Sequence, residues 1–201
     1  MEGNEDNLLL VRCTPTEQAL LIKLAQESIS TAVQGRVLAA ESVGELTERL
    51  KCPAATFITL RQEGQLRGCV GNLIARDPLY RSVIHNAIGA ALRDSRFPPV
   101  APEELQHIKI HISILSALKS IHFESVDQML DQMIPGEDGV VLRKSGRAAT
   151  YLPQVWKTFS QKEAFLDSLS QKAGLKVNAW REHDVEILLY RVFEFGETET
   201  D

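Results

Sequence analysis

No stretch of this chain approaches the roughly 20 consecutive apolar residues that a membrane-crossing helix needs. The run Leu8-Leu9-Leu10-Val11 is too short for a signal-peptide core, and acidic rather than basic residues precede it, so no leader is expected. Cysteine is scarce: Cys13, Cys52 and Cys69 are an odd number without paired spacing, which predicts free thiols in a reducing cytoplasm. Basic charge is also in deficit. With 22 Lys and Arg against 27 Asp and Glu, the net charge is -5, which argues against a dedicated nucleic-acid binder. The sequence contains no Gly-x-Gly-x-x-Gly, no P-loop, no Gly-x-Ser-x-Gly and no His-Glu-x-x-His, which excludes the common nucleotide, hydrolase and zinc-protease motifs. There is no internal repeat and no long linker.

What is present is an ordinary globular composition, 44% hydrophobic over 201 residues, enough for one core or a core with a small appended lobe. Polar, acidic ends predict a flexible segment over 1–13, a domain over 14–195 and a flexible tail over 196–201. The charge is uneven. Between Arg61 and Arg96 lie six arginines (61, 67, 76, 81, 93, 96) against Glu63, Asp77 and Asp94, so this segment is +3 and the remainder -8. Two readings stand for it: a local anion site, or solvated surface arginines.

Thr14-Pro15-Thr16-Glu17 has the pattern of a helix start, with apolar residues at helical spacing until Gly35. A short helix is expected around Glu45 to Leu50. Ala54 to Arg61 and Leu66 to Val70 flank a turn at Gln62–Gln65 and predict a hairpin. Asp77-Pro78 opens a second helix as cap and first residue, with an apolar stripe of Leu79, Val83, Ala87 and Ala90-Ala91 widened by Ile84, Ile88 and Leu92. Three prolines rule out helix in Asp94 to Pro102. His107 to Ile114 alternates four isoleucines with polar residues, the pattern of a half-buried antiparallel strand. Ser125-x-x-Gln128 and Ser160-x-x-Glu163 predict helix caps, residues 139–152 a second hairpin, and Val185 to Phe195 one final strand. Hairpins interspersed with helices, without βαβ alternation, give an α+β fold with a mainly antiparallel sheet flanked by helices.

The chemistry centres on Arg67-Gly68-Cys69-Val70-Gly71. Small neighbours let a ligand approach the backbone and the sulfur of Cys69. On a strand Arg67 and Cys69 share a face, and a guanidinium favours thiolate. The opposing reading is a buried structural cysteine beside glycines that mark a bulge. His107 and His111 lie about 13 Å apart on a strand, too far for one metal ion, so they are expected to be exposed polar-face residues and no metal site is proposed. His85, beside Asn86, is a candidate lining group. Gly68-Cys69-Val70-Gly71 matches the Gly-x-x-Gly of KH loops only in letters, because those loops join helices. Trp156, Trp180, Phe159 and Phe165 are assigned to core packing.

Leu66-Arg67-Gly68-Cys69-Val70-Gly71 resembles the signature hexapeptide of the AMMECR-type domain family, called AmmeMemoRadiSam system protein A in bacteria and archaea, with Val70 in place of isoleucine. Four further blocks extend the resemblance over nearly the whole chain. They are Pro78-Leu79 with His85-Asn86-Ala87, Asp94-Ser95-Arg96-Phe97-Pro98-Pro99-Val100 (Ser95 replacing proline), Ala149 to Trp156, and Lys172 to Leu175. The resemblance implies a two-lobed α+β fold with a second, smaller lobe and a cleft near the signature. It also implies a genomic association with a Memo-type protein and a radical-SAM protein, and it supplies no reaction. The expected function is binding of a small anionic or carbonyl ligand. Arg67, Asn86 and Arg96 would orient it, Gly68, Gly71 and Asp94 would complete the site, and Cys69 would act as nucleophile or redox thiol. No cofactor, metal, nucleic acid or membrane is expected. The alternative is a non-catalytic protein–protein interaction domain.

Overall fold

The computed structural model describes residues 12–36 and 45–198, so the flexible segment expected at the N-terminus lies mostly outside the described residues, as does Leu38. The chain forms two compact units. One runs to Leu115 and resumes at Phe193; the other is Ser116–Val192.

In the first unit, helix α1 (Pro15–Val33) begins where its capping box places it. The Glu17 amide donates to the Thr14 hydroxyl at 3.3 Å, and the Thr14 amide donates to the Glu17 carboxylate at 2.8 Å. Glu17 is buried. Burial alone would raise its pKa, but hydrogen bonds from Thr47 and Thr14 outweigh it and hold the carboxyl below its usual range. Gly35, at φ +70, ends the helix in a conformation that costs glycine nothing. A single turn, α2 (Glu48–Lys51), leads into β1 (Ala55–Gln62) and β2 (Gln65–Gly71). Glu63 and Gly64, both at positive φ, make the two-residue turn between them.

Helix α3 (Leu79–Leu92) starts one residue later than the expected Asp77 cap. Pro78 holds the cap position, because the Asp77 carbonyl already accepts the Ala54 amide at 3.1 Å. Strand β3 (Ile108–Leu115) buries Ile108, Ile110, Ile112 and Ile114 beneath α1 and α3. With β8 (Val192–Gly196) it completes a four-stranded antiparallel sheet in the order β2-β1-β3-β8. His111, expected on an exposed face, is half-buried: the ring lies where a side chain on Gly196 would sit, and its Nε2 is buried without a partner among the described residues. Gly196 and Glu197, assigned to the tail, are tied to β3. The Glu197 amide donates to the Ile110 carbonyl at 3.0 Å, and the Ile110 amide donates to the Glu197 carboxylate at 2.8 Å.

The second unit holds a sheet of β4 (Lys119–Ser120), β5 (Gly139–Lys144), β6 (Arg147–Tyr151) and β7 (Glu186–Tyr190) in the order β4-β7-β5-β6, with α4 (Val126–Asp131) and α5 (Lys162–Lys172). Its core is aromatic, as expected: Trp156 stacks on Phe165 with ring centroids 3.6 Å apart, and Trp180 is fully buried. Both indole N–H groups are satisfied, Trp156 by the Asp138 carbonyl and Trp180 by Asp167, each at 2.7 Å. Three local expectations change. Ser160 caps nothing, since Gln161 holds the cap position of α5 without a side-chain bond. Ser125 accepts the Gln128 amide, but the Gln128 side chain answers to Glu124 at 2.6 Å, so only half the capping box forms. The final strand is two strands. It breaks at Arg191, whose amide and carbonyl bond Ser116 and whose guanidinium meets Asp138 at 2.6 Å, so β7 and β8 join different sheets.

Candidate functional site

Strand β2 is the edge of the first sheet, and its pairing with β1 is irregular. Arg61 faces Leu66 but Leu60 faces Gly68, so Arg67 is an extra residue without a partner, a β-bulge. Beyond it, Gly68 and Val70 turn toward α3. A methyl group at Gly68 would lie 2.2 Å from the Ala90 carbonyl oxygen, and Val70 occupies the space a side chain on Gly89 would need. Gly71 is equally constrained, with the Phe57 ring 2.3 Å from where its Cβ would be. Gly68 and Gly71 therefore let helix, strand and ring approach closely; neither is at positive φ.

Cys69 projects to the opposite face, away from α3, and is half-exposed. Its Sγ receives the Thr59 hydroxyl at 3.4 Å, and Thr59 is its partner across the strands. Its outward backbone edge is closed by one side-chain pair. The Cys69 amide donates to Asp94 Oδ2 at 2.8 Å, and its carbonyl accepts Arg96 Nη2 at 3.4 Å. Asp94 also takes Arg96 Nε at 2.9 Å and Nη2 at 2.7 Å, a bidentate pair. Those bonds, foremost the one from Arg96 and then the Cys69 amide, outweigh burial and hold the Asp94 carboxyl far below the usual carboxylate range. Arg96 is raised correspondingly, by the Asp94 hydrogen bond first. The Asp94 side chain is 7% exposed and that of Arg96 55%, so a buried carboxylate anchors a guanidinium that still faces water.

Arg67 is placed beside this corner but is committed elsewhere. It grips Glu104 through Nε at 2.7 Å and Nη2 at 2.9 Å, and it donates to the carbonyls of Pro98 and Pro99 at 2.9 and 3.4 Å. Its hydrogen bond lowers the Glu104 carboxyl against burial, and Glu104 in return raises Arg67. With four of its five N–H groups used and its side chain 12% exposed, Arg67 ties the Pro98–Glu104 segment to the strand. Asn86 is on the other side of the sheet. Its side-chain amide lies within hydrogen-bonding reach of Thr56 Oγ1 at 2.9 Å, Asn72 Oδ1 at 2.7 Å and Ser82 Oγ at 3.4 Å, a buried polar lock between α3, β1 and the loop after β2. His85 is exposed on α3.

The structure thus brings Cys69, Asp94 and Arg96 together, sets Arg67 next to them in a tether, and separates Asn86 from the thiol. Sequence reasoning missed Thr59 and Glu104, and it set His111 aside as an exposed residue. Cross-strand register places Thr59 opposite both Cys69 and His111; the bulge in β2 hides the first pairing, and the β1–β3 pairing is regular. The three thiols differ in burial. Cys13 is buried, and burial first, then Glu17, pushes it up to about 11; Cys52 is exposed and Cys69 is half-buried. Among the described residues no three His, Cys, Asp or Glu side chains converge for a metal ion, and no helix is long and apolar enough to cross a membrane.

Comparison with known proteins adds the lineage. The chain is 30% identical over 203 residues to a protein of Thermofilum pendens, covering 93% of this chain and 92% of that one. It is 33% identical over 170 residues to a protein of Methanosarcina acetivorans, covering 83% and 85%. The crystal structure of the uncharacterised protein PH0010 from Pyrococcus horikoshii is similar with a TM-score of 0.80 at 27% identity, covering 88% of this chain and 89% of that one. The model of the AMMECR1 family matches residues 22–195, and the chain belongs to that family.

Proposed function

We propose that the protein binds a small ligand bearing a carboxylate or carbonyl group at the Cys69–Arg96 corner, and that Cys69 adds to it as a nucleophile. The supporting observation is the pairing of the half-buried Cys69 with an Arg96 side chain that is locked by Asp94 yet more than half exposed. A guanidinium held in place loses little freedom on binding and presents planar donors to an oxyanion. Thr59 donates a hydrogen bond to the sulfur at 3.4 Å and fixes its orientation at the corner. Addition to a carbonyl carbon makes one C–S bond, opens the C=O π bond and passes the thiol proton to the oxygen, so no redox partner is needed. Following the family resemblance, this binding serves a modification system that includes a Memo-type protein and a radical-SAM protein.

Peptide-resolved mass spectrometry tests the reading, with exposed Cys52 as internal reference. Native protein is treated with iodoacetate and with neutral iodoacetamide. Cys69 is expected to prefer the anionic reagent over the neutral one by several-fold more than Cys52 does, and Arg96→Gln to abolish the preference. A Cys69 left unmodified while Cys52 reacts fully ends the proposal.

A further inference from the structure

Helix α3 buries one side in the core and turns the other outward, and the outward side is not uniformly polar. At 3.6 residues per turn, positions 81, 84, 85, 88 and 92 fall within an arc of about 100°. Tyr80, Ile84, Ile88 and Leu92, each four residues from the next, are half-buried in one row; Tyr80 and Leu92 at its ends also pack against the core, and Ile84 and Ile88 form the outward centre of the ridge. Arg81 and His85 are exposed on the same side, and Arg93 follows at the C-cap. Their cations are arranged along the ridge. Arg81 Nε donates to the Tyr80 hydroxyl at 2.9 Å, with its guanidinium carbon 5.7 Å from the ring centre. Arg93 folds back so that Nη2 donates to the His85 carbonyl at 3.3 Å. Among the described residues no carboxylate lies within ion-pair distance of Arg81 or Arg93, and no acidic residue occurs from position 78 to 93.

We infer that this side of α3 is a docking surface for an amphipathic helix of a partner protein, one whose apolar stripe is flanked by Asp and Glu. The ridge supplies the i, i+4, i+8 anchor spacing by which helices pack against one another. The two guanidinium groups, each already held against its own helix, set partner charge and orientation. The apolar centre selects protein over nucleic acid. Ile84 and Ile88 between Arg81 and Arg93 offer apolar contact that the stripe of an amphipathic helix uses and a phosphate backbone does not. The surface acts independently of Cys69.

The probe is a fluorescein-labelled helical peptide with leucines at i, i+4 and i+8 flanked by glutamates, titrated with the full chain and followed by fluorescence polarisation. A peptide with lysine flanks, a 20-nucleotide single strand and sedimentation velocity of the protein alone complete the set. The glutamate peptide is expected to bind saturably and at least tenfold more tightly than the lysine peptide. Arg81→Glu with Arg93→Glu is expected to weaken it by at least tenfold, as is Ile84→Ser with Ile88→Ser, while Cys69→Ser leaves it unchanged. Equal binding of the two peptides overturns the inference without any protein variant having to fold. Tighter binding of the oligonucleotide overturns it in favour of nucleic acid. A concentration-dependent dimer lost in Ile84→Ser with Ile88→Ser overturns it in favour of a second copy of this chain.

Discussion

The two hairpins of this protein use the same turn and diverge immediately afterward. Glu63-Gly64 and Ser145-Gly146 both sit at φ +50 and +74, and each closes a pair of antiparallel strands. From its turn the β5–β6 hairpin keeps one register throughout, Lys144 facing Arg147 and Val140 facing Tyr151. The β1–β2 hairpin slips by one residue at Arg67. That extra residue sends a guanidinium to Glu104, aims Cys69 away from the helix and leaves an edge for Asp94 and Arg96 to close. Identical turn chemistry therefore yields a packing element in one unit and a bulged, cysteine-bearing corner in the other. The strand after the turn, rather than the turn itself, makes the difference.

The strongest way to break the comparison is to add one methyl group to each hairpin. In Gly68→Ala the new Cβ meets the Ala90 carbonyl at 2.2 Å, so backbone of β2 and α3 must separate. Overpacking of this kind is expected to destabilise by about 3 kcal/mol. Gly146→Ala meets nothing within 4 Å and suffers only its φ of +74, for about 1 kcal/mol. Urea unfolding monitored by hydrogen exchange in each hairpin measures both. Equal losses would mean that the close approach at Gly68 does not govern its hairpin.

Asp94 sharpens the comparison next. Asp94→Asn removes the charge that holds Arg96 and accepts the Cys69 amide, for a loss of about 2 kcal/mol at neutral pH. The sign of the pH effect is that of a carboxyl whose folded pKa is depressed. Its contribution is complete above the ordinary value of 3.8 and is lost as pH falls below it. Acid unfolding of the first unit should therefore begin below about pH 4 in the native protein, with Asp94→Asn removing much of that slope. The second hairpin answers in alkali. Tyr190, packed on Gly139, is pushed up to about 12 by burial, with Thr150 opposing. A raised folded pKa gives stability that is complete below the ordinary value of 10 and is lost as pH rises toward 12. Tyr190→Phe should flatten that loss at a cost of about 1 kcal/mol for its hydrogen bonds to Thr150 and Tyr151. Trp156 and Trp180 both lie in the second unit, so tryptophan fluorescence follows it selectively.

Much of this architecture is legible in residue order because local chemistry encodes it. Thr14 and Glu17 place the start of α1, the glycines of both turns place the hairpins, and the alternation of isoleucine from 108 to 114 gives the buried face of β3. The bulge is not legible, since no residue type demands it and its signature is a register shift between distant positions. The tether of Arg67 spans 37 residues to Glu104. The break at Arg191 depends on Ser116 and Asp138, residues 75 and 53 positions away, which the segment from Val185 to Phe195 does not reveal. Sequence blocks group Cys69 with Arg96, which is how the chain folds. They group Asn86 with the same pair, which is not, because a block does not say which side of a sheet its helix covers.

The smallest effect is the most specific to the bulged hairpin. Thr59→Val keeps shape and burial nearly unchanged and deletes one hydroxyl, which donates to the Cys69 sulfur at 3.4 Å. A bond to sulfur at that length is weak, so stability should change by less than about 0.5 kcal/mol. Reactivity is the sensitive readout, because the hydroxyl orients the sulfur that must meet the reagent. Iodoacetamide labelling of Cys69 at pH 7 should slow by about threefold in Thr59→Val, with Cys52 labelling unchanged. Without the bulge Thr59 would face Gly68, so a rate that did not move would detach the register slip from the chemistry of the corner.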